Sequence, residues 1–139
     1  RLESRMESIA SLQERIAPFF PGTLGIRLTS ATPERVTAEL HIRDELCTVP
    51  GVCHGGVLMA FADTLGAVGT VLNLPPGAGT TTIESKTNFF GPGVAGTTIA
   101  AECVPLHRGR RTQAWQTSIR SAEGKLLAQV TQTQMVIPP

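Results

Sequence analysis

The sequence lacks the features of several common protein classes, and each absence narrows its interpretation. Its 139 residues carry 12 basic and 11 acidic side chains, a formal net charge of +1, which does not favour extended binding to nucleic acid or to an anionic membrane. No uninterrupted apolar run reaches the roughly 18 residues of a membrane-spanning helix. Residues 1–15 are rich in charged and polar side chains and contain no apolar segment of the kind found in secretory signal peptides.

Cysteine is scarce as well. The three cysteines, Cys47, Cys53 and Cys103, are odd in number, which argues against a disulfide framework and predicts a reducing, cytoplasmic location. Cys47, Cys53 and His54 lie close in sequence, but their spacing matches no common metal-binding pattern. We therefore expect buried or half-buried thiols and no metal site.

The apolar pattern divides the chain into an N-terminal helical segment, residues 1–18, and one domain, residues 19–139. Apolar side chains recur at helical spacing from Leu2 to Ile16. The Phe-Phe-Pro-Gly run that follows is predicted to end this helix. A chain of 139 residues is long enough for one domain with its own core.

The remainder of the pattern predicts six strands and one long helix. Two strands occupy residues 24–42, where apolar and polar side chains alternate in the second half. From Gly56 to about Leu74 the chain is apolar on nearly every side, which is typical of a buried helix. Turn residues then separate four further strands, at residues 80–90, 97–106, 111–121 and 126–137. These elements predict an α+β fold, in which one antiparallel sheet wraps around a long central helix and leaves edges that favour self-association.

The long helix opens with a combination of residues that suggests chemistry. His54-Gly55-Gly56 precedes an apolar run that contains one carboxylate, Asp63. A carboxylate among apolar residues is costly to bury unless it is paired or functional. A glycine pair at a helix start leaves backbone N–H groups accessible at the positive end of the helix dipole. Because acyl transfer needs both an acid or base and a group that polarises the carbonyl, the pattern predicts an enzyme.

Gly55 and Asp63 are too far apart to act together within one chain. They are eight residues apart, which is about 12 Å along a helix axis, whereas groups that act on one carbonyl lie within about 3 Å of the reacting atoms. A two-fold dimer with paired helices, each N-terminus facing the partner's Asp63, is the simplest solution. We therefore expect a homodimer.

Several motifs occur together and in a fixed order. They are Gly51-Val52-Cys53-His54-Gly55-Gly56, Ala62-Asp63, Thr81-Thr82-Ile83 through Asn88-Phe89, and Arg108-Gly109-Arg110. In this combination the chain resembles the hotdog-fold acyl-CoA thioesterases, in particular the group that includes the phenylacetate-pathway thioesterases, over residues 19–137. The resemblance implies the hotdog fold, a homodimer or a dimer of dimers, and a coenzyme A thioester as substrate with no metal or organic cofactor.

The resemblance also implies roles for individual residues. Asp63 serves as nucleophile or general base, and the N–H of Gly55 polarises the thioester carbonyl. His54 shapes the loop and hydrogen-bonds near the thioester, while a hydroxyl at or near Thr81 assists the carboxylate or the water. Guanidinium groups of the 108–111 loop would bind the phosphates of coenzyme A. The implied substrate contacts are Gly56, Thr82, Asn88, Phe89, Arg108, Gly109, Arg110 and Arg111.

Two positions depart from the family pattern. Thr48, which is a candidate catalytic residue, stands where an amide that positions the water or the thioester is common. Ala67 stands where some relatives have a threonine. These departures keep open an alternative function, a non-catalytic protein that binds acyl-CoA. A hotdog dehydratase acting on 3-hydroxyacyl thioesters is a further alternative, although its histidine usually lies in a different local context.

Several of these side chains could have a structural role instead of a catalytic or binding role. Asp63 could cap a neighbouring loop, and the arginines at 108–111 could form a solvated hairpin tip. Cys53 beside His54 superficially suggests a thiol nucleophile, but nothing in the sequence lowers the pKa of its thiol. Apolar candidates for the acyl pocket are Val57, Met59, Phe61 and Phe90.

Overall fold

The computed structural model of the protein describes residues 8–139. Helix α1 covers Ile9–Ile16 and begins at Ser8, whose hydroxyl accepts the backbone N–H of Ser11 at 3.1 Å. Such a capping bond satisfies one of the free N–H groups of the first turn. The predicted helix began at Leu2, so the part of it before residue 8 lies outside the described residues.

A second short helix, α2 at Phe20–Leu24, follows where the sequence predicted only a helix end. Pro21 lies in its first turn and Gly25 ends it with a φ of +83°, which is the usual placement of proline and glycine around a helix. Gly22 is needed for close packing, because a Cβ there would lie 1.8 Å from the carbonyl oxygen of Ala17.

The sheet has six antiparallel strands in the order β1-β2-β6-β7-β8-β5. All six predicted strands are present, with ends that differ from the prediction by a few residues. Their bounds are β1 Arg27–Thr32, β2 Arg35–His41, β5 Gly79–Phe89, β6 Thr98–Arg108, β7 Thr112–Arg120 and β8 Leu126–Ile137.

Helix α3, Gly55–Val71, packs against one face of this sheet and forms the centre of the core. Phe61 and Leu65 of the helix are fully buried. Gly69 lets the helix approach the sheet closely, because a Cβ there would lie 2.8 Å from the buried ring of Trp115. The predicted arrangement of one antiparallel sheet around one long helix is confirmed.

A small hairpin that the sequence did not predict leads into α3. After a 3-10 turn at Asp44–Leu46, strands β3 (Cys47–Val49) and β4 (Val52–Cys53) pair with each other. The N–H of His54 then donates to the carbonyl of Leu46 at 2.8 Å. These bonds fix the backbone at the residue where the helix begins.

Strands β1 and β5 are the two edges of the sheet within this chain. In β5 the register shifts between Thr82 and Glu84, which marks a β-bulge at Ile83. Bulges re-aim side chains and are common beside active sites. Across residues 8–139, no helix combines the length and the apolar character needed to cross a membrane.

Candidate active site

The N-terminus of α3 leaves one backbone N–H group available. The ring Nδ1 of His54 accepts the N–H of Gly56 at 2.8 Å, and the carbonyl of His54 accepts the N–H of Val57 at 2.9 Å. Within the described chain, the N–H of Gly55 has no acceptor. Because Nδ1 acts as an acceptor, a neutral ring carries its proton on Nε2. His54 is therefore the cap of α3, and it leaves the Gly55 N–H free.

Phe89 lies beside this N–H group. A Cβ at Gly55 would lie 3.1 Å from the Phe89 ring, and the ring is half exposed. A Cβ at Gly56 would likewise lie close to the His54 ring, at 2.9 Å from Nδ1. The structure thus brings His54, Gly55, Gly56 and Phe89 together at the start of α3. Asn88 is exposed and makes no side-chain hydrogen bond to the described residues.

Asp63 lies in the middle of α3, half-buried. Its Oδ1 accepts the hydroxyl of Thr82 at 2.6 Å and the side-chain amide of Gln132 at 3.0 Å. No described residue donates to its Oδ2. One oxygen of the carboxylate is therefore held by two donors, while the other is available to a water molecule or a substrate.

The hydroxyl that donates to Asp63 is that of Thr82, the neighbour of the predicted Thr81, which itself makes no hydrogen bond to this carboxylate in the described chain. Successive side chains of a strand point to opposite faces of the sheet. Thr82 faces α3, whereas Thr81 is exposed on the other face, opposite Met135 in β8. Thr82 itself was predicted as a substrate contact, and the structure places it one hydrogen bond from the carboxylate.

Two glutamines of β8 complete the surroundings of Asp63, and sequence reasoning missed both. Gln132 and Gln134 are 1% exposed. The Oε1 of Gln134 contacts the Thr82 hydroxyl and accepts the Gln132 amide at 3.1 Å, and its Nε2 donates to the Thr80 hydroxyl at 3.1 Å. A signal was present in the sequence, because both glutamines occupy inward positions of a strand that is otherwise apolar on that face.

A cavity of about 440 Å³ adjoins Asp63 on the side of α3 that faces the N-terminal helices. Asp63, Thr64 and Ala67 line one wall of it. The Thr64 hydroxyl donates to the carbonyl of Ala60 at 2.8 Å, so its single proton is already used within the helix. The other lining residues are mostly apolar and include Leu12, Ile16, Phe20, Val68 and Val71, with Arg15 as the charged member.

Other predicted pocket residues lie elsewhere. Phe61 is fully buried in the core, so it cannot line a substrate pocket, and that prediction is wrong. Val57 packs against the core, whereas Met59 and Phe90 are exposed. Thr48 is exposed in the β3–β4 hairpin and lines a separate surface depression, so its predicted role remains a prediction.

The arginines of the β6–β7 loop differ in their surroundings. Arg108 contacts the carbonyl of Pro33 at 3.3 Å, the side chain of Asn73 at 3.4 Å and Glu34 at 3.7 Å. Arg110 and Arg111 are exposed and have no side-chain partner among residues 8–139. Gly109 permits the tight turn, since a Cβ there would lie 2.5 Å from the His107 ring.

This loop lies near the C-terminal end of α3, because Asn73 follows the helix directly. The Gly55 N–H is at the opposite end of the same helix, which is about 24 Å long. One protomer therefore does not place its own 108–111 loop next to its own Gly55 N–H.

The Cys53 side chain, beside His54, is unsuited to nucleophilic chemistry. Burial, with a contribution from the nearby Cys47 thiol, raises the pKa of Cys53 to about 11. The thiolate is the reactive form of cysteine, and the Cys53 thiol stays almost entirely protonated near neutral pH. No group of three or more His, Cys, Asp and Glu side chains in the described part of the chain is arranged to hold a metal ion.

Comparison with known proteins identifies the family. Residues 50–128 match the thioesterase superfamily. A Haemophilus influenzae protein assigned to the esterases is 31% identical over 103 residues, which cover 74% of this chain and 74% of that protein. A 1,4-dihydroxy-2-naphthoyl-CoA hydrolase of Listeria monocytogenes is 26% identical over 105 residues, or 76% of this chain and 85% of that enzyme.

Structural similarity extends over almost the whole chain. The crystal structure of a thioesterase from Haemophilus influenzae has a TM-score of 0.89 and 27% sequence identity, covering 95% of this chain and 92% of that one. These likenesses confirm the family resemblance, the hotdog fold and the prediction that the chain is an enzyme of the thioesterase class. The chain belongs to the thioesterase superfamily.

Proposed function

We propose that this protein hydrolyses an acyl- or aroyl-CoA thioester to the free acid and coenzyme A, with Asp63 as the reacting carboxylate. The observation that supports this most directly is the state of Asp63. One of its oxygens is held by Thr82 and Gln132, and the other has no donor in the described chain. A carboxylate that is fixed through one oxygen and open at the other is suited to act as a base or a nucleophile.

Two routes use the same groups. As a general base, Asp63 takes a proton from water while the water oxygen attacks the thioester carbonyl. The C–S bond then breaks, and the proton goes to the departing thiolate of coenzyme A. As a nucleophile, Asp63 attacks the carbonyl itself, releases coenzyme A and is regenerated when water hydrolyses the mixed anhydride. In both routes negative charge develops on the carbonyl oxygen, and the free N–H of Gly55 is the donor that stabilises it.

The distance along α3 supports a site that is shared by two copies of the chain. Gly55 begins the helix and Asp63 lies eight residues further on, about 12 Å along the axis. We infer a homodimer in which each Gly55 N–H meets the partner's Asp63 at a shared site. Strand β5, which contains Thr82 and Phe89, has an unpaired edge, and this is consistent with an interface at this side of the molecule. A dimer of dimers remains part of this proposal.

Two regions of the protein would bind different parts of the substrate, an apolar region for the acyl group and a charged region for coenzyme A. The cavity beside Asp63 is lined mostly by aliphatic side chains, which suits the acyl group. Arg110 and Arg111 are free to bind phosphates of coenzyme A. The chemistry uses only the carboxylate, a backbone N–H and water, so we propose that no metal or organic cofactor takes part. The Listeria relative, named for hydrolysis of an aroyl-CoA, supports this substrate class.

The experiment is coenzyme A thiol release from a panel of aromatic and aliphatic acyl-CoA esters, with the Asp63→Asn variant measured in parallel. Turnover by the parent and a loss of at least about 100-fold in the variant are expected, since the variant keeps the shape but lacks the base. Turnover retained by the variant would contradict the role of Asp63. If neither protein turns over but acyl-CoA raises the melting temperature of both, the protein is an acyl-CoA binder. Water loss from a 3-hydroxyacyl-CoA without thiol release would identify a dehydratase.

A further inference from the structure

Gln132 is a buried amide in a position where an apolar residue would be expected. It is 1% exposed and lies on the inward face of β8 between Val130 and Gln134. Its Oε1 has no hydrogen-bond partner in the described chain. A buried polar atom without a partner destabilises a protein, so the packing of the core does not account for a glutamine here.

The amide nitrogen of Gln132, by contrast, is fully used. It lies 3.0 Å from Oδ1 of Asp63, 3.4 Å from the Asp63 carbonyl oxygen and 3.1 Å from Oε1 of Gln134. An amide nitrogen has two protons, so one points to Asp63 and the other to Gln134. The second bond fixes the rotation of the amide, and the first fixes the carboxylate.

Gly66 makes this approach possible. A Cβ at Gly66 would lie 2.3 to 2.5 Å from the amide carbon, nitrogen and oxygen of Gln132, so the amide lies flat against the glycine backbone. Any larger residue at position 66 would push the amide away from the helix. Gly66 and Gln132 therefore act together, although they belong to two elements, α3 and β8, that are distant in sequence.

Thr82 is the second donor to the same oxygen, and its direction is set by the same network. Its hydroxyl has one proton and two oxygen neighbours, Asp63 Oδ1 and Gln134 Oε1. A carboxylate oxygen is a stronger acceptor than an amide oxygen, so we assign the proton to the bond with Asp63. Gln134 then accepts from Gln132 and donates to Thr80. The network thus directs two donors at Oδ1.

We propose that Gln132, seated on Gly66, is a positioning residue of the active site, which holds Oδ1 of Asp63 so that Oδ2 meets the water or the thioester. This inference rests on the proposed function, in which Asp63 is the reacting carboxylate. Gln132 contacts the carboxylate through Oδ1 and makes no hydrogen bond to Oδ2, the oxygen assigned to the reaction. Its loss therefore affects the reaction step more than substrate binding.

The first test is Gln132→Met, which removes the amide and approximately keeps the volume. We expect kcat to fall about ten- to a hundredfold, the effect of losing one hydrogen bond to a charged group, with KM changed less than about threefold. The melting temperature should change little, because the variant removes one unpaired buried oxygen but leaves Oε1 of Gln134 without the donor that Gln132 supplied. An unchanged kcat in this variant, together with an inactive Asp63→Asn protein, would overturn the inference and leave the proposed function intact. An active Asp63→Asn protein would overturn the proposed function itself.

A matched pair of glycine variants keeps the test decisive if Gln132→Met does not fold. Gly66→Ala places a methyl group against the Gln132 amide, and Gly69→Ala places one against the Trp115 ring. Both crowd the same helix against the same sheet, so both should lower the melting temperature. Only Gly66→Ala is expected to lower kcat by about tenfold or more. Equal effects of the two variants on kcat would overturn the inference.

Discussion

The hydroxyl of Thr82 lies 2.6 Å from Oδ1 of Asp63, across the space between strand β5 and helix α3. A bulge at the next residue of β5 places this hydroxyl on the helix side of the sheet. The bond joins the central helix to an edge strand at the one half-buried carboxylate of α3. It also distinguishes Thr82 from its neighbour Thr81.

Removal of the Thr82 hydroxyl should therefore lower activity. Thr82→Val keeps the shape of the side chain but loses a hydrogen bond to a charged group, worth about 1.5–3 kcal/mol, so kcat should fall about ten- to a hundredfold. Thr82→Ser should retain most of the activity. Steady-state kinetics of both variants measure the change in kcat, with Thr81→Val as the matched control. Equal losses in Thr81→Val and Thr82→Val would contradict the assignment.

The Gly55 N–H can be removed without breaking the helix. Gly55 is the first residue of α3, a position where proline is favoured because its missing N–H leaves no helical bond unmade. Gly55→Pro should lower kcat by about 10²- to 10³-fold, as expected for loss of an oxyanion donor. Gly55→Ala is the control, since it crowds the Phe89 ring in the same way but keeps the N–H. If the two variants are equally active, the N–H has no part in catalysis.

His54 should act mainly through its cap. Nδ1 of the ring accepts the Gly56 N–H, so His54→Ala should reduce the free energy of unfolding by about 1 kcal/mol and should also lower activity by loosening the Gly55 turn. Asparagine is a good capping residue, so His54→Asn should recover the stability and most of the activity. Chemical denaturation and kinetics of the two variants test this. An asparagine variant that is as unstable as the alanine variant would contradict the capping role.

The buried thiols should make the protein less stable in alkaline solution. Burial raises the pKa of Cys103 from 9.0 to about 11, against a smaller lowering by the Thr117 hydroxyl. Between these values the unfolded chain loses the thiol proton first and the folded chain keeps it, so the free energy of unfolding falls as the pH rises. The full loss through Cys103 is about 2–3 kcal/mol once the pH exceeds both values, and about half of it is reached at pH 10.

Thermal unfolding of the parent and of Cys103→Ala at about pH 8 and about pH 10 measures this effect. The variant is less stable at both values, but its melting temperature should change less with pH. The sequence contains no tyrosine that would titrate in the same range. Identical pH dependence of the two proteins would show that Cys103 does not contribute.

The sequence predicted the architecture because its signals are local and strong. The alternation of apolar and polar residues in β2 indicates a strand with one buried face, and the apolar run of α3 indicates a helix buried on nearly all sides. Turn residues separate the later strands. Helix α2 was missed because its five residues contain a proline and a glycine, which on their own indicate a helix end. The β3–β4 hairpin was missed because its strands are two and three residues long, too short for alternation to be visible.

The candidate site was predicted in part. There is a physical reason why some of its residues could be predicted from the sequence and others could not. His54, Gly55 and Asp63 belong to one continuous motif, so the sequence shows them together. Thr82 and Gln132 reach Asp63 only through the register of β5 and β8, and a bulge shifts that register. A run of three threonines, Thr80 to Thr82, gives no indication of which one faces the helix.

The central claim is that one site combines Asp63 of one protomer with the Gly55 N–H of the other. It is tested by mixing the Asp63→Asn and Gly55→Pro variants, each inactive alone, after unfolding and refolding them together. A heterodimer with shared sites contains one site with both groups intact, so thiol release should recover to about a quarter of the parent rate with random pairing. If the mixture stays as inactive as its components, while size measurements show that heterodimers have formed, the two groups do not act across the dimer and the claim is wrong.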